Sequence, residues 1–216
     1  TGPLKMSKEN EKADITLNNF FEEKPSSKEI ERAEKSLIST METVMPPKIF
    51  YTSLMNTPLG TIWFAATEKG LIAIEYDLSE QEFIAWLGKK IKARFINEEE
   101  NLKPISEKIV KYLSGEIREL DLDIDFTIIS PFQKEVLLAT KAVPRGQTST
   151  YGEIAKIIGK PKAFQAVGQA LRYNPIPIAL PCHRVIASDG SLGGYAGEMD
   201  SERKRKLLAL EGAMLF

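Results

Sequence analysis

The spacing of hydrophobic positions changes character along the chain. Ile30, Ala33, Leu37, Met41 and Val44 fall on one helical face of residues 29–44, stopped by Pro46-Pro47, and core packing is the expected use of that face. Residues 48–55, 60–67 and 71–76 are rich in Ile, Phe, Tyr and Trp and read as strands. The turn signals Asn56-Thr57-Pro58-Leu59-Gly60 and Glu68-Lys69-Gly70 separate them. A helix opens at Ser79, with Glu82 three residues on, and Phe83, Leu87, Ile91 and Phe95 form its apolar face. A second helix covers residues 104–114. Leu120, Leu122, Ile124 and Phe126 alternate with Asp, an edge-strand pattern over 120–126.

From Ser130 the pattern is mostly helical. Ser130-Pro131-Phe132-Gln133 supplies an N-cap, a proline in the first turn and a glutamine at the third position of a helix reaching about Ala142. Thr150-Tyr151-Gly152-Glu153 is a second capping box, opening a short helix that Gly159 ends. Pro161 opens another, to about Arg172, and Asn174-Pro175 stops it; a last helix runs from Asp200 to about Leu210. Two short helices joined by a glycine-containing turn resemble a helix-turn-helix, although packed pairs that touch no nucleic acid are as common.

The fold class is α/β (α+β), in three segments: an extension at 1–45, an α+β domain at 46–127 and a mostly helical domain at 128–216. Thr1-Gly2-Pro3-Leu4-Lys5, ahead of Met6, looks like a cloning scar, and the polar segment after it is expected to be loose. Hydrophobic residues make up 43% of the chain, enough for real cores, and no stretch approaches the ~20 apolar residues of a membrane span. No signal peptide is visible. The net charge of −1 does not by itself suggest nucleic acid. It hides an asymmetry: residues 128–216 carry 12 Lys and Arg against 7 Asp and Glu, so the acidic excess lies in residues 1–127. A basic second half hints at an anionic partner there.

Candidate chemistry is concentrated at one point. Cys182 and His183 are the only cysteine and the only histidine, and they are adjacent. One cysteine forms no internal disulfide, fits a reducing compartment, and with one histidine cannot fill a tetrahedral metal site. A buried structural cysteine is the ordinary alternative. As a nucleophile, Cys182 would need a base, and the base an orienting carboxylate. Direct contact between neighbours would be strained, so a bridging water is expected between Cys182 and His183. Glu211, at the end of the last helix, is the candidate carboxylate.

Pro181-Cys182-His183-Arg184-Val185 resembles the active-site signature of the O6-alkylguanine-DNA alkyltransferases. Ser130-Pro131-Phe132-Gln133, Pro144-Arg145-Gly146-Gln147, Thr150-Tyr151-Gly152-Glu153-Ile154-Ala155, Ala166-Val167-Gly168, Asn174-Pro175, Gly193-Gly194-Tyr195-Ala196-Gly197 and the Leu-Leu-x-x-Glu-Gly ending follow in register. The resemblance implies a ribonuclease H-like first domain and a winged-helix-like second domain that enters the minor groove and flips the damaged base. The implied reaction is DNA repair by one irreversible transfer of an alkyl group from O6-alkylguanine, and O4-alkylthymine, to Cys182. His183 is then the water-mediated base, Glu211 its orienting carboxylate, Asn174 a hinge that ties backbone near the site, and Tyr151 a proton donor to the guanine ring. Pro177, Val185, Tyr195, Ala196 and Lys204 would shape the pocket, and Arg184 would order the local turn. Ala163, Ala166, Gly168 and Ala170 would allow close groove approach, with Lys162 and Arg172 on phosphates.

Two positions depart from the family pattern: Gln165 stands where the family has an intercalating arginine, and Phe164 where it has a small residue. Weakened or altered DNA binding is expected. The implied partner is double-stranded DNA carrying the lesion, met by a monomer without cofactor, metal or membrane contact, in the cytoplasm or, in a eukaryote, the nucleus. The competing readings are a damage-flagging protein, which would lack the acceptor cysteine, and a Cys-His hydrolase, which would turn over repeatedly.

Overall fold

The computed structural model describes residues 26–213; the scar at 1–5 and the polar segment up to residue 25 lie outside them. Helix α1 (Ser27–Val44) belongs to the first of two compact units, residues 1–46. Ser26 caps it, accepting from Glu29 N at 3.3 Å and donating its own backbone N–H to Glu29 Oε2 at 2.9 Å. Ile30, Ala33 and Leu37 are exposed, so this part of the stripe is not the core face expected of it; the side chains of Met41 and Val44 lie outside the described residues.

The second unit, residues 47–216, opens with the three expected strands: β1 (Lys48–Thr57), β2 (Gly60–Thr67) and β3 (Gly70–Tyr76). Their period-two alternation serves two faces. Trp63 and Ala65 pack with Ile49, Tyr51, Phe83 and Leu87 on one side, whereas Ile62, Phe64 and Ala66 join the larger cluster on the other. Helix α2 (Glu80–Gly88) covers the first face from a complete capping box at Ser79 and Glu82. It stops at Gly88, so Ile91 and Phe95 are not part of its face. Phe95 instead sits in β4 (Arg94–Asn97), a strand the spacing did not announce, which pairs in parallel with β1 and gives the order β3-β2-β1-β4. Helix α3 (Lys103–Leu113) turns Ile109, Tyr112 and Leu113 inward.

Residues 120–126 are not a strand. They make one parallel bridge, Leu71 to Ile124, held by Leu71 N to Asp123 O at 2.8 Å and Asp125 N to Leu71 O at 2.9 Å. Alternation fails because Asp125 turns inward: its carboxylate takes the Thr67 hydroxyl and the Thr127 amide.

The remainder is built from α4 (Pro131–Lys141), α5 (Tyr151–Ile157), α6 (Phe164–Arg172) and α7 (Glu202–Glu211), with short strands β5 (Ser149–Thr150), β6 (Val185–Ile186), β7 (Gly194–Tyr195) and β8 (Glu198–Met199). One hydrophobic cluster joins it to the sheet: Phe64, Ile74, Ile109 and Tyr112 pack in the same core as Val136, Ile154, Val167, Leu180 and Leu207. The α6 start is three residues later than Pro161 suggests. Ala163 N bonds Lys160 O at 2.8 Å, so Pro161 and Lys162 lie in a turn that precedes the helix. No described helix is long and apolar enough to cross a membrane.

Candidate active site

Cys182 sits at the start of a 3-10 turn, Cys182–Arg184, and the segment before it is tied down by one side chain. Asn174 follows α6. Its Nδ2 donates to Leu180 O at 2.8 Å and approaches Cys182 Sγ at 3.2 Å, while its Oδ1 accepts from Ile176 N at 3.0 Å. These bonds hold a segment in which Ile178 takes φ 70°, a region unfavourable for a β-branched residue. The first half of the chain adds a further tie, Ile74 N to Pro175 O at 2.8 Å.

Behind the sulfur runs a buried polar chain. His183 Nε2 lies 2.9 Å from Glu211 Oε1, and both side chains are fully buried. Arg184 is the third member: Nε donates to Glu211 Oε2 and Nη2 to Oε1, each at 2.9 Å, and Nη1 donates to Val143 O at 2.7 Å. The Tyr112 hydroxyl, from α3, donates to Oε1 as well. Glu211 is the last residue of α7, and Gly212 ends the helix with φ 73°, a left-handed cap for which glycine is the favoured residue.

The protonation states follow from these partners. Burial alone would raise the Glu211 pKa, but the hydrogen bonds from His183 and Arg184 outweigh it and hold the carboxyl well below its usual range. Burial lowers the His183 pKa against the opposing pull of Glu211, so the imidazole rests neutral. A neutral ring beside a carboxylate keeps its proton on Nε2, which leaves Nδ1 as the basic nitrogen. Nδ1 is buried and has no hydrogen-bond partner among the described residues. Burial also raises the Cys182 pKa, against smaller opposing effects of Asn174 and Lys204. The site therefore holds a neutral thiol, a neutral base and an ionised carboxylate.

Cys182 opens on a cleft of ≈ 240 Å³, shared with Asn174, Pro177, Tyr173, Ala196 and Glu75. A neighbouring cleft of ≈ 370 Å³ is lined by Tyr151, Gly168, Tyr195 and Met199. Tyr151 is the first residue of α5, placed by the Thr150–Glu153 capping box, in which both hydrogen bonds are present. Burial raises its pKa, against a hydrogen bond from the Gly194 backbone, so it rests as a phenol. Gly193 makes room for it: a Cβ there would lie 2.5 Å from the Tyr151 hydroxyl.

Of the pocket residues expected from the sequence, Pro177 and Ala196 line the Cys182 cleft. Val185 is completely buried and lines neither cleft. The Tyr195 hydroxyl is buried 2.7 Å from that of Tyr76, and its ring stands edge-on to His183. Lys204 is also buried, with its ammonium on the carbonyls of Val185 and Leu192, and burial lowers its pKa to about 8. Of these three, Tyr195 lines the neighbouring cleft, and Lys204, like Val185, lines neither of the two. Lys162, Phe164, Gln165, Ala166 and Arg172 are exposed at the start and along the outer face of α6; its inner face buries Val167, Leu171 and also Ala170, which therefore does not face outward as expected. Ala163 and Gly168 are half-buried, Gly168 against the Tyr151 ring. Gln133 does not close the capping box at Ser130; its Nε2 reaches across to cap the end of α6, donating to Ala170 O and Tyr173 O, each at 2.9 Å.

Residues 131–213 match the family model described as 6-O-methylguanine DNA methyltransferase, DNA binding domain, and residues 50–126 the one described as its ribonuclease-like domain. The chain belongs to the 6-O-methylguanine DNA methyltransferase family. A Methanosarcina acetivorans methylated-DNA–protein-cysteine methyltransferase is 38% identical over 163 residues, which is 76% of this chain and 99% of that protein. The crystal structure of Mycobacterium tuberculosis OGT in complex with DNA is 32% identical and superposes with a TM-score of 0.62, covering 76% of this chain and 92% of that one. The O6-methylguanine-DNA methyltransferase of Pyrococcus kodakaraensis is 28% identical with a TM-score of 0.57, over 76% and 99% of the two chains. As a family member, the chain is classed with the methylated-DNA–protein-cysteine methyltransferases, and its α+β and helical regions are that family's ribonuclease-like and DNA-binding domains.

Two site residues were not found from sequence. Tyr112 lies on an apolar helix face and reads there as core; only its hydroxyl, turned to a carboxylate 99 residues away, reveals otherwise. Glu75 is one more polar residue in a strand until β3 brings it to the cleft.

Proposed function

We propose that this protein repairs DNA by moving an alkyl group from O6-alkylguanine, and from O4-alkylthymine, onto its own Cys182, once per molecule. The observation that carries the reading is the buried Glu211–His183 pair, next in the chain to a cysteine that opens on a cleft. Such a pair activates a thiol on demand. His183 Nδ1 takes the Cys182 proton through a water, and Glu211 stabilises the imidazolium that forms. The sulfur attacks the alkyl carbon and the carbon–O6 bond breaks. Tyr151 donates its proton to the guanine ring as the electron pair returns to the base, which makes the base a better leaving group. A thioether is not hydrolysed, so the reaction ends at one equivalent.

An atom inside a duplex is out of reach of a buried sulfur, so the nucleotide is turned out of the stack. The exposed face of α6 suits the minor groove: Ala163, Ala166 and Gly168 allow close approach, Phe164 or Gln165 fills the vacated place, and Lys162 and Arg172 meet phosphates. A monomer acting without metal or cofactor, in the reducing compartment that holds the DNA, is sufficient for this chemistry. The test is single-turnover repair of a duplex carrying one O6-methylguanine. Guanine should be restored in a 1:1 ratio to protein and no further; continued turnover, or an untouched lesion, rejects the proposal.

A further inference from the structure

The described contacts of Glu211 are unevenly shared. Oε2 accepts one hydrogen bond, from Arg184 Nε, whereas Oε1 accepts from Arg184 Nη2, from His183 Nε2 and from the Tyr112 hydroxyl. Tyr112 is the only one of these donors from the ribonuclease-like half, and its side chain is almost fully buried. Donors that crowd one oxygen compete for its electron density. A donor aimed at the oxygen that faces His183 weakens the grip of that oxygen on the imidazole proton, and so makes the ring a weaker base.

We propose that Tyr112 is a positioning residue of the alkyl-transfer reaction: its hydroxyl fixes Glu211 Oε1 against His183 and holds down the basicity of that imidazole. The ribonuclease-like half thereby contributes a group to the proton path, acting through Glu211 and touching neither sulfur nor base. This rests on the reading of His183 as the base for Cys182. Other groups bear on the same ring and stay in place when Tyr112 changes. Arg184 and Lys204 oppose its protonation by charge, Cys182 precedes it in the chain, and Tyr195 meets it edge-on. On the far side Arg145 lies over the Tyr112 ring at 5.2 Å, and Glu119 acts on Arg184.

Without the hydroxyl, Glu211 Oε1 has fewer donors and binds the His183 proton more tightly. The imidazole pKa rises, and a base must be neutral to accept the thiol proton. The acid limb of transfer then moves to higher pH.

The test is Tyr112→Phe, which keeps the ring and removes the oxygen. Two readouts are needed: the pH-rate profile of Cys182 labelling by free O6-benzylguanine, and the 15N titration of the imidazole, which is unambiguous because the chain has one histidine. Both midpoints should move up by about half a unit or more. Ile109→Val, a core change on the same helix, lowers stability without touching the hydroxyl and should leave both midpoints where they were. Superimposable wild-type and Tyr112→Phe curves, or equal shifts in Ile109→Val, overturn the proposal. Absence of any adduct at Cys182 in the wild type would instead overturn the alkyl-transfer reading, and the imidazole titration would still decide the role of Tyr112.

Discussion

Replacing Glu211 by glutamine probes the site at its most connected atom pair. The carboxylate holds Arg184 through two hydrogen bonds of 2.9 Å, His183 through one of 2.9 Å, and the Tyr112 hydroxyl. Glutamine keeps the shape, loses the charge and turns one acceptor into a donor. Arg184, almost wholly buried, would then keep only the Val143 carbonyl and one amide oxygen. Breaking a buried ion pair by removing one partner costs about 3–5 kcal/mol. The retained oxygen puts this case near the lower end, about 3 kcal/mol, which urea unfolding at neutral pH reads directly. The kinetic effect is separate. With the amide oxygen toward Nε2 the imidazolium loses the charge that stabilises it, and with the amide N–H toward Nε2 the imidazole proton is also forced onto Nδ1, the nitrogen proposed to accept from the thiol. Neutralising the carboxylate of a catalytic triad in this way costs on the order of 10³–10⁴ in rate, so labelling by O6-benzylguanine in folded Glu211→Gln should fall by about that factor. A rate within threefold of wild type, in protein shown to be folded, would mean that Glu211 orients nothing and that the buried pair is only structural.

Tyr151→Phe should slow transfer by about 10²-fold or more through the lost proton donor, measured in single turnover on an alkylated duplex; an unchanged rate removes Tyr151 from the mechanism. Asn174→Ala leaves the Ile176 amide and the Leu180 carbonyl without their side-chain partner and removes a donor from the sulfur. It should cost about 1–3 kcal/mol of stability and slow labelling, and a fully stable, fully active variant contradicts the hinge. Gln165→Arg adds a cation to the exposed face of α6 and should tighten duplex binding and steepen its salt dependence by about one unit of log-log slope; equal affinity and slope would show that this position does not meet DNA. Acid should unfold the protein by a known route. The folded pKa values of Glu211 and His183 both lie below their unfolded ones, so the stability they add is present above the unfolded values and is lost as pH falls, from about 6.5 for His183 and about 4.3 for Glu211. Between pH 7 and 5 the loss comes from His183, and the urea midpoint should drop at least as much in Glu211→Gln as in wild type, because the variant lacks the carboxylate that raises the imidazole pKa; a smaller drop in the variant refutes the assignment.

The sequence disclosed the parts of this molecule that depend on local chemistry. The Ser79–Glu82 and Thr150–Glu153 boxes form as the residue spacing implies, because a cap needs partners three residues apart. The elements it concealed depend on distant partners. β4 is a four-residue strand that exists by pairing with β1. Residues 120–126 lose their alternation because Asp125 finds Thr67 and Thr127. The site divides in the same way. Cys182 and His183 stand out as unique residue types, and the Leu-Leu-x-x-Glu-Gly ending drew attention to Glu211. Arg184 was expected to order the turn, and it does so by gripping Glu211 and Val143. Tyr195 lines a cleft, whereas Lys204 and Val185 are buried away from both clefts, since spacing along a chain does not tell a cleft wall from the layer beneath it. Tyr112 is legible only once the fold brings its hydroxyl to Glu211.

The account depends above all on where the alkyl group goes. The decisive measurement is intact-mass and peptide analysis of reduced protein after incubation with excess duplex containing O6-methylguanine. The expected result is a single methyl mass increment per chain, located on the Cys182 peptide, and no increment in Cys182→Ser. An unmodified Cys182 beside a repaired lesion, or a methyl group on any other residue, contradicts it.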